Sequence, residues 1–524
     1  MIEKYYSGVI EQIYNRIGKE TRNIVMANYS NDFSIENLEV IRRYQSNEDN
    51  VFFAYSEFSY NTLVGAYEPF LDIICNMHRR FIGGSFDDFQ KECGVYYLHR
   101  QVLNSYYETG ECFREETVLL NEVAYEQRRM TMAIADMLKK LSEVKPLMIV
   151  INRFQMASKS SIETIKYLID NPCANIGIVL GVNAIVKGTD STVEVWERIV
   201  ESLEDRSAIY YIGSAGPLKN NVKTTNDDEL YITMNFEQSI QEASNIMEFL
   251  DFEQARRGCR IIEHKLKFED AWIDEKSLRR FYMVYARTSV LLGEMSKAIE
   301  LTNEYKALIP ENDSEHYLSL YYFMKGTCYM YQGKLEKAGN SAKSAYDYAV
   351  LAEDDTLIFK AELLSVMIKM SGWYNIFFCV QDIPVSDEII EKLIKHGYRN
   401  HLAHIYIYAY DNSRDVVKQS FYDESLLKHF TKGLELAKEI GNEQLVYDAY
   451  QKTIMLASTS GLNEIAFLYV IRTYEFMKGH GNIYVARVLT SIGYNLSAMG
   501  KNELVDNYYN AAINMLYYLK IPED

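Results

Sequence analysis

Short apolar, β-branched runs alternate with stretches of helical period through the first half of the chain. The runs are NIVMA (23–27), NVFFAYSEF (50–58), PLMIVIN (146–152), NIGIVLGVN (175–183) and AIYYIGS (208–214). The middle three are each followed by a helical pattern or a polar loop, which predicts a parallel sheet covered by helices. PLMIVIN lacks polar alternation, as a strand buried on both faces should. Residues 1–235 are therefore expected to form an α/β domain.

From 236 onward the strand signals vanish and one pattern recurs. LLGEMSKAIEL places Gly293 five residues before Ala298, and YQGKLEKAGNS repeats that spacing with Gly333 and Ala338. Further copies of the glycine stand at Gly372, Gly441, Gly461 and Gly500. Gly293, Gly333 and Gly372, like Gly461 and Gly500, succeed one another at about 40 residues, a period of stacked helical hairpins. A turn glycine can take the left-handed conformation that ends one helix, and the small alanine lets the next helix pack closely. A single hairpin cannot bury its apolar face, so the hairpins are expected to stack into an all-α solenoid over 236–524, starting near 240, since Ala255 stands about one period before Ala298. These repeats resemble the long tetratricopeptide type, although the usual Trp and Pro positions are mostly absent.

Composition narrows the function. The 524 residues are 48% hydrophobic and carry only 7 Pro, enough for two or three packed domains. The seven cysteines are scattered and never arranged as CxxC, which predicts buried free thiols in a reducing compartment. No apolar run approaches a membrane span or a secretory signal core, so a cytoplasmic protein is expected. A net charge of −18 argues against direct nucleic-acid or anionic-membrane binding. Tyrosine is in excess, 43 against 23 Phe, and suits half-exposed partner-binding faces such as those of YLSLYYFMKGTCYMY (317–331) and HIYIYAY (404–410). For any individual tyrosine hairpin core is the plainer role; the functional expectation concerns the groove as a whole. His401 and His404, with His396 nearby, are spaced to share a helix face, but a zinc site would want a third ligand and a carboxylate close by, so packing or surface roles are expected and no metal site. EGECFREE around Cys112 offers nothing to depress a thiol pKa.

The stretch from Pro146 to Ser158, PLMIVINRFQMAS, followed by SSIETIKYLI, resembles the acidic-strand motif of signal-transduction ATPases found in MalT-like and large LuxR-type regulators. In that family the strand ends in two acidic residues, then an apolar residue, a Gln or His, a Trp-Ala pair and a helix. Here Phe154, Gln155, Ala157 and the helix match, and the acidic positions are Asn152 and Arg153. The resemblance implies a P-loop-like domain over roughly residues 20–215. Its second strand would be VFFAYSEF with a Tyr67, Pro69, Phe70 turn after it, and Asn183 would sit at or near the polar sensor. The family's phosphate loop would then fall on Asn28, Tyr29, Ser30, Asn31, Asp32, Phe33, Ser34 and Ile35. No residue there can do what the loop's glycines, Lys and Thr do for phosphate and Mg²⁺. Hydrolysis also requires acidic residues to hold Mg²⁺ and orient water, and Asn152 with Arg153 supplies no negative charge. The interval 215–240 is too short for the winged-helix module that usually separates ATPase and repeats.

The expectation is thus a degenerate P-loop-like α/β domain (1–235) followed by a tetratricopeptide-like repeat domain (236–524). The function expected is a non-enzymatic regulatory scaffold with no cofactor, whose repeat groove binds a protein or peptide; self-association is left open. One alternative keeps ATP bound without hydrolysis near Asn28–Ser34 and Arg153. Another is a transcription regulator whose DNA-binding part is elsewhere, in a partner or in a longer chain, since ELVDNYYNAAINMLYYLKIPED carries no basic recognition helix. A plainer reading also stands: PLMIVIN as a buried strand of an unrelated α/β domain, and NYSNDFS as a polar loop capping ENLEVIRRY.

Overall fold

The structure, a computed structural model, describes residues 2–29, 38–46, 50–59, 63–114, 116, 118, 122–183, 193–213, 235–268, 273–312, 314–374, 387–409, 424–459, 461–477 and 483–518. By compactness the chain divides into Met1–Tyr317 and Leu318–Asp524. The change from mixed to all-helical structure falls earlier, between residues 213 and 235.

The first unit opens with α1 (Ile2–Arg16), β1 (Ile24–Tyr29), α2 (Glu39–Ser46) and β2 (Phe52–Glu57). Four helices separate β2 from the next strand: α3 (Phe70–Met77), continued by a π-helical turn, then α4 (Phe86–Glu92), α5 (Tyr97–Thr109) and α6 (Val123–Val144). There follow β3 (Leu147–Asn152), α7 (Lys159–Asp170), β4 (Ile176–Asn183), α8 (Val193–Glu204) and β5 (Ile209–Ile212). The strands form one parallel sheet in the order β2-β3-β4-β1-β5. Every residue of β3 and β4 is buried, as their unbroken apolar runs predict. On one face α1 and α2 supply Tyr6, Ile10, Ile13 and Ile41 to a core shared with Val25, Phe53, Met148, Val150 and Val179. Of the strands read from sequence, β1 needs extending: it runs on through Asn28 and Tyr29, two residues assigned above to a loop. Asn28 is fully buried and lies opposite Val182 of β4, so the parallel ladder holds it in the strand despite its polarity.

The same unit ends in α9 (Phe236–Glu248), α10 (Phe252–Phe268), α11 (Glu275–Leu291) and α12 (Met295–Ala307), with α9 packed on α10 and α11, and α11 on α12. Across the division at 317 comes α13 (Ser314–Tyr331), and the second unit continues with α14 (Leu335–Leu351), α15 (Asp355–Tyr374), α16 (Asp387–Lys395) and α17 (Arg399–His404). Its remaining helices are α18 (Glu424–Ile440), α19 (Glu443–Thr459), α20 (Asn463–Met477), α21 (Ile483–Ala498) and α22 (Asn502–Tyr518). Successive helices from α17 to α22 pack on one another, the arrangement of a helical repeat.

The turn chemistry follows the sequence argument at most positions. Gly293, Gly333, Gly441, Gly461 and Gly500 all have φ between 70° and 76°. Each closes a helix. At Gly333 the Lys334 N–H donates to Tyr329 O at 2.9 Å and the Gly333 N–H to Met330 O at 2.9 Å, the double bond of a Schellman ending. Ala298 and Ala338 are fully buried, as their packing role requires.

Gly372 is a correction. It lies inside α15, which runs to Tyr374, and therefore ends no helix at that point. The preceding turn, between α14 and α15, is made instead by Glu353 at φ 51°, with Asp354 N–H on Ala349 O and Glu353 N–H on Val350 O. A periodic glycine is only a permissive residue, and a buried apolar stretch such as LLSVMI can carry a helix past it at a cost of about 1 kcal/mol.

Candidate functional site

Strand order decides where a ligand would be met. The β1 to β2 connection runs one way along the sheet, whereas β2 to β3, β3 to β4 and β4 to β5 run the other. Right-handed crossovers then place α2 on one face and α7 and α8 on the opposite one. The crevice at the carboxyl ends of the adjacent strands β1 and β4 is thus the switch position at which open α/β sheets hold ligands. The loops leaving these two ends, 30–37 and 184–192, are outside the described residues, and with them Asn31, Phe33, Ser34 and Ile35.

What is described at this end is a buried polar cluster. Asn152, the last residue of β3, accepts a 2.5 Å hydrogen bond from the Tyr29 hydroxyl at the end of β1. The strand between them is β4, and it carries Gly181 there. An added Cβ would meet the Tyr6 hydroxyl and lie 2.8 Å from Asn152 Oδ1, so the bridge exists because position 181 has no side chain. Burial, with Tyr29, Tyr55 and Glu57 nearby, pushes the Tyr6 phenol well above its usual value, so it stays protonated.

Arg153, next along the chain, takes a left-handed conformation (φ 56°, ψ 38°) that turns its side chain toward β2. Its Nη1 lies 3.0 Å from Glu57 Oε1 and donates to Phe58 O at 3.3 Å. The Tyr55 hydroxyl donates to the other Glu57 oxygen. Glu57 is the one charged residue among the last residues of the five strands, and its charge is met by Arg153. Asn183 ends β4 almost fully buried, and its N–H donates to Gln155 Oε1 at 3.3 Å, tying the ends of β3 and β4 together. The structure thus gathers Asn28, Asn152, Arg153 and Asn183 at one end of the sheet. It adds Tyr6, Glu57 and Gly181, which sequence reading did not single out, and it moves Tyr29 from the expected phosphate loop into β1. A glycine inside an otherwise apolar strand run was the one visible signal, since such a glycine marks close approach of another group.

Chemically, this cluster donates and accepts hydrogen bonds but presents no uncompensated carboxylate among its described residues. A Mg²⁺ ion seated beside Glu57 would have to displace a guanidinium. The Tyr67, Pro69, Phe70 turn is buried against the start of α7: the Tyr67 N–H donates to Ser160 Oγ, and the Ser161 hydroxyl to Glu68 O.

The helical repeats offer a second kind of surface. Tyr321 of α13 is core, while Tyr322 and Tyr329 are half-buried, and Tyr322 stacks on Tyr348 of α14 at 5.6 Å. The Lys325 ammonium donates to the Tyr321 hydroxyl at 2.8 Å. By contrast, the start of HIYIYAY is core: His404, Ile405 and Ile407 are buried. His401 is buried beside them, and His396 stacks on Phe359. No group of three metal-ligating side chains converges among the described residues. The six described cysteines are free, and burial pushes the Cys112 thiol up; Cys379 is outside the described residues. No described helix is long and apolar enough to cross a membrane.

No family model and no curated protein sequence matches the chain. Solved structures similar to it include a signal-transduction ATPase with numerous domains and a tetratricopeptide repeat sensor from Pyrococcus horikoshii. That protein is 12% identical, with a TM-score of 0.47, over 98% of this chain and 89% of that one. A Rap protein complexed with competence and sporulation factor is 15% identical, with a TM-score of 0.36, over 56% of this chain and 77% of that one. NprR in complex with its cognate peptide NprX is 13% identical, with a TM-score of 0.36, over 54% and 78%. The architecture given above rests on strand order and helix packing, independently of these similarities.

Proposed function

We propose that the chain is a non-enzymatic regulatory scaffold of the cytoplasm. Its α/β domain has the frame of a signal-transduction ATPase without the hydrolytic chemistry, and its helical repeats bind a protein or peptide partner. The observation that carries this reading is the Arg153–Glu57 ion pair, which neutralises the carboxylate at the end of β2 and leaves Asn152 at the end of β3. The parallel order β2-β3-β4-β1-β5, with its switch position between β1 and β4, supports the frame. The half-buried tyrosines of α13 support the partner role, because Tyr gives large contact area at low entropic cost.

A second reading is favoured by the polarity of the same cluster. Asn28, Asn183 and Arg153 stand where a nucleotide would meet the sheet, so nucleotide binding could bias a regulator of transcription that acts through a separate DNA-binding partner. That mechanism requires different affinities for two states of the chain.

The first reading is tested by placing a photo-crosslinking residue at Tyr322 or Tyr329 in the full chain and identifying what is captured in cells. A reproducible peptide or protein adduct at these positions, absent from a control crosslinker at exposed Tyr5, supports it. The same adducts at all three positions would overturn the assignment of the partner face to the repeats.

A further inference from the structure

Within the first unit, a cleft of about 520 Å³ lies between residues 57–59 and 63–72 on one side and α9, from Asn235 at its start to Phe249 at its end, on the other. Four carboxylates line it: Glu57, Glu68, Asp72 and Glu242. Its described lining contains no Lys, Arg or His. Three of the four have partners. Glu57 pairs with Arg153, Asp72 accepts the Tyr106 hydroxyl at 2.9 Å, and Glu68 accepts the Gly65 N–H at 2.9 Å. Glu242, on α9, has no hydrogen-bond donor or cation against its carboxylate among the described residues.

Gly65 explains how the two sides come so close. A Cβ there would lie 3.1 Å from Glu242 Oε1 and 3.4 Å from Glu68 Oε2, so both carboxylates converge on the space that a side chain would fill. Two like charges converging in a partly desolvated cleft cannot both stay ionised without cost.

We propose that Glu242 and Glu68 form a proton-operated latch: α9 closes on residues 63–68 when Glu242 is protonated, and the cleft opens when it is not. The protonated Glu242 carboxyl gains a donor hydrogen toward the carboxylate it faces. Loss of that proton leaves net repulsion from Glu68 and Asp72. Burial, and then Glu68 and Asp72, raise the Glu242 carboxyl to about 7, and burial raises Glu68 as well.

The charged groups on the neighbouring elements do not cancel this. Tyr106 of α5 lines the cleft as a neutral phenol, and the buried Cys112 thiol near Glu242 is neutral as well. Arg114 and Arg287 of α11 are engaged by Glu248, and Arg280 of α11 by Gln241. On α10, Glu253 and Arg256 pair with Lys159 and Glu294.

A carboxyl whose value in the closed form lies above its value in the open form favours closure below the open-form value, and the advantage is lost as pH rises to the closed-form value. The opening constant should therefore rise about tenfold per pH unit between pH 5 and 7, and flatten above.

Hydrogen exchange of the full chain, corrected for intrinsic pH dependence, tests this on peptides covering 63–72 and 236–246. Wild type should lose protection there as pH rises toward 7, Glu242→Gln should keep it at every pH, and Glu68→Gln should move the transition to lower pH. Identical pH profiles in wild type and Glu242→Gln would overturn the latch. If Glu242→Gln does not fold, carboxyl carbon-13 titration of wild type decides: a glutamate titrating near pH 7 and displaced downward in Glu68→Gln supports the latch, and its absence overturns it.

Discussion

Replacing Gly181 by Ala is a direct probe of the sheet-end cluster. The new Cβ would press on the Tyr6 hydroxyl and stand 2.8 Å from Asn152 Oδ1, while Asn152 is already held by Tyr29. Neither polar atom can retreat into solvent, because Tyr6 and Asn152 are both fully buried. Overpacking of this kind costs about 1–3 kcal/mol, and weakening the Tyr29–Asn152 bond adds roughly 0.5–1.5 kcal/mol. Stiffening of the unfolded chain by alanine returns about 0.4–1 kcal/mol, leaving a net loss on the order of 2 kcal/mol. For a cooperative unit of this size that is a fall of about 3–4 °C in Tm. Tyr6→Phe removes one of the two clashing atoms, so the double variant Tyr6→Phe with Gly181→Ala should be more stable than the sum of the single effects, by at least about 0.5 kcal/mol. Urea unfolding of the four proteins measures this cycle. An unchanged midpoint for Gly181→Ala, or strict additivity with Tyr6→Phe, would refute the close approach of these three groups.

Other outcomes follow from single positions. Glu353→Gly relieves a left-handed turn that the related turns fill with glycine, and should stabilise the second unit by about 0.5–1 kcal/mol in thermal unfolding. Gly326→Leu should destabilise that unit by about 1–3 kcal/mol or more, since a Cβ there already stands 3.1 Å from Leu364 and 3.4 Å from the Ala338 carbonyl. His99 is fully buried 2.9 Å from Glu126, and burial lowers its imidazole to about 4. Its contribution to stability is present above the unfolded value and lost as pH falls from about 6.5 through 4, so His99→Gln should flatten the acid limb of a stability–pH curve over that range.

The sheet's centre was legible because its signal is local. PLMIVIN and NIGIVLGVN are apolar throughout, and only burial on both faces produces that pattern. The end of β1 was not, because Asn28 and Tyr29 carry loop-like polarity and are held in the strand by β4 and β5, partners more than a hundred residues away. The same distance hid Glu57: its meeting with Arg153 depends on β2 lying beside β3, which no local pattern states. Helix-ending glycines were legible for the opposite reason, since a Schellman turn is made within six residues. Glu353 escaped notice because a left-handed turn tolerates glutamate at modest cost, and Gly372 misled because spacing alone does not end a helix. The approach of Glu242 to the space beside Gly65 joins segments far apart in sequence and became visible only with α9 in place.

Phosphate release from Mg-ATP by the purified full chain, with binding heats recorded alongside, probes the sheet end for the hydrolytic chemistry that the proposed scaffold lacks. With Glu57 held by Arg153 and Asn152 at the end of β3, wild type should release no phosphate above buffer, and neither should Glu57→Gln. Turnover by wild type that disappears in Glu57→Gln would contradict it, because Glu57 would then be acting as a catalytic carboxylate despite its pairing with Arg153.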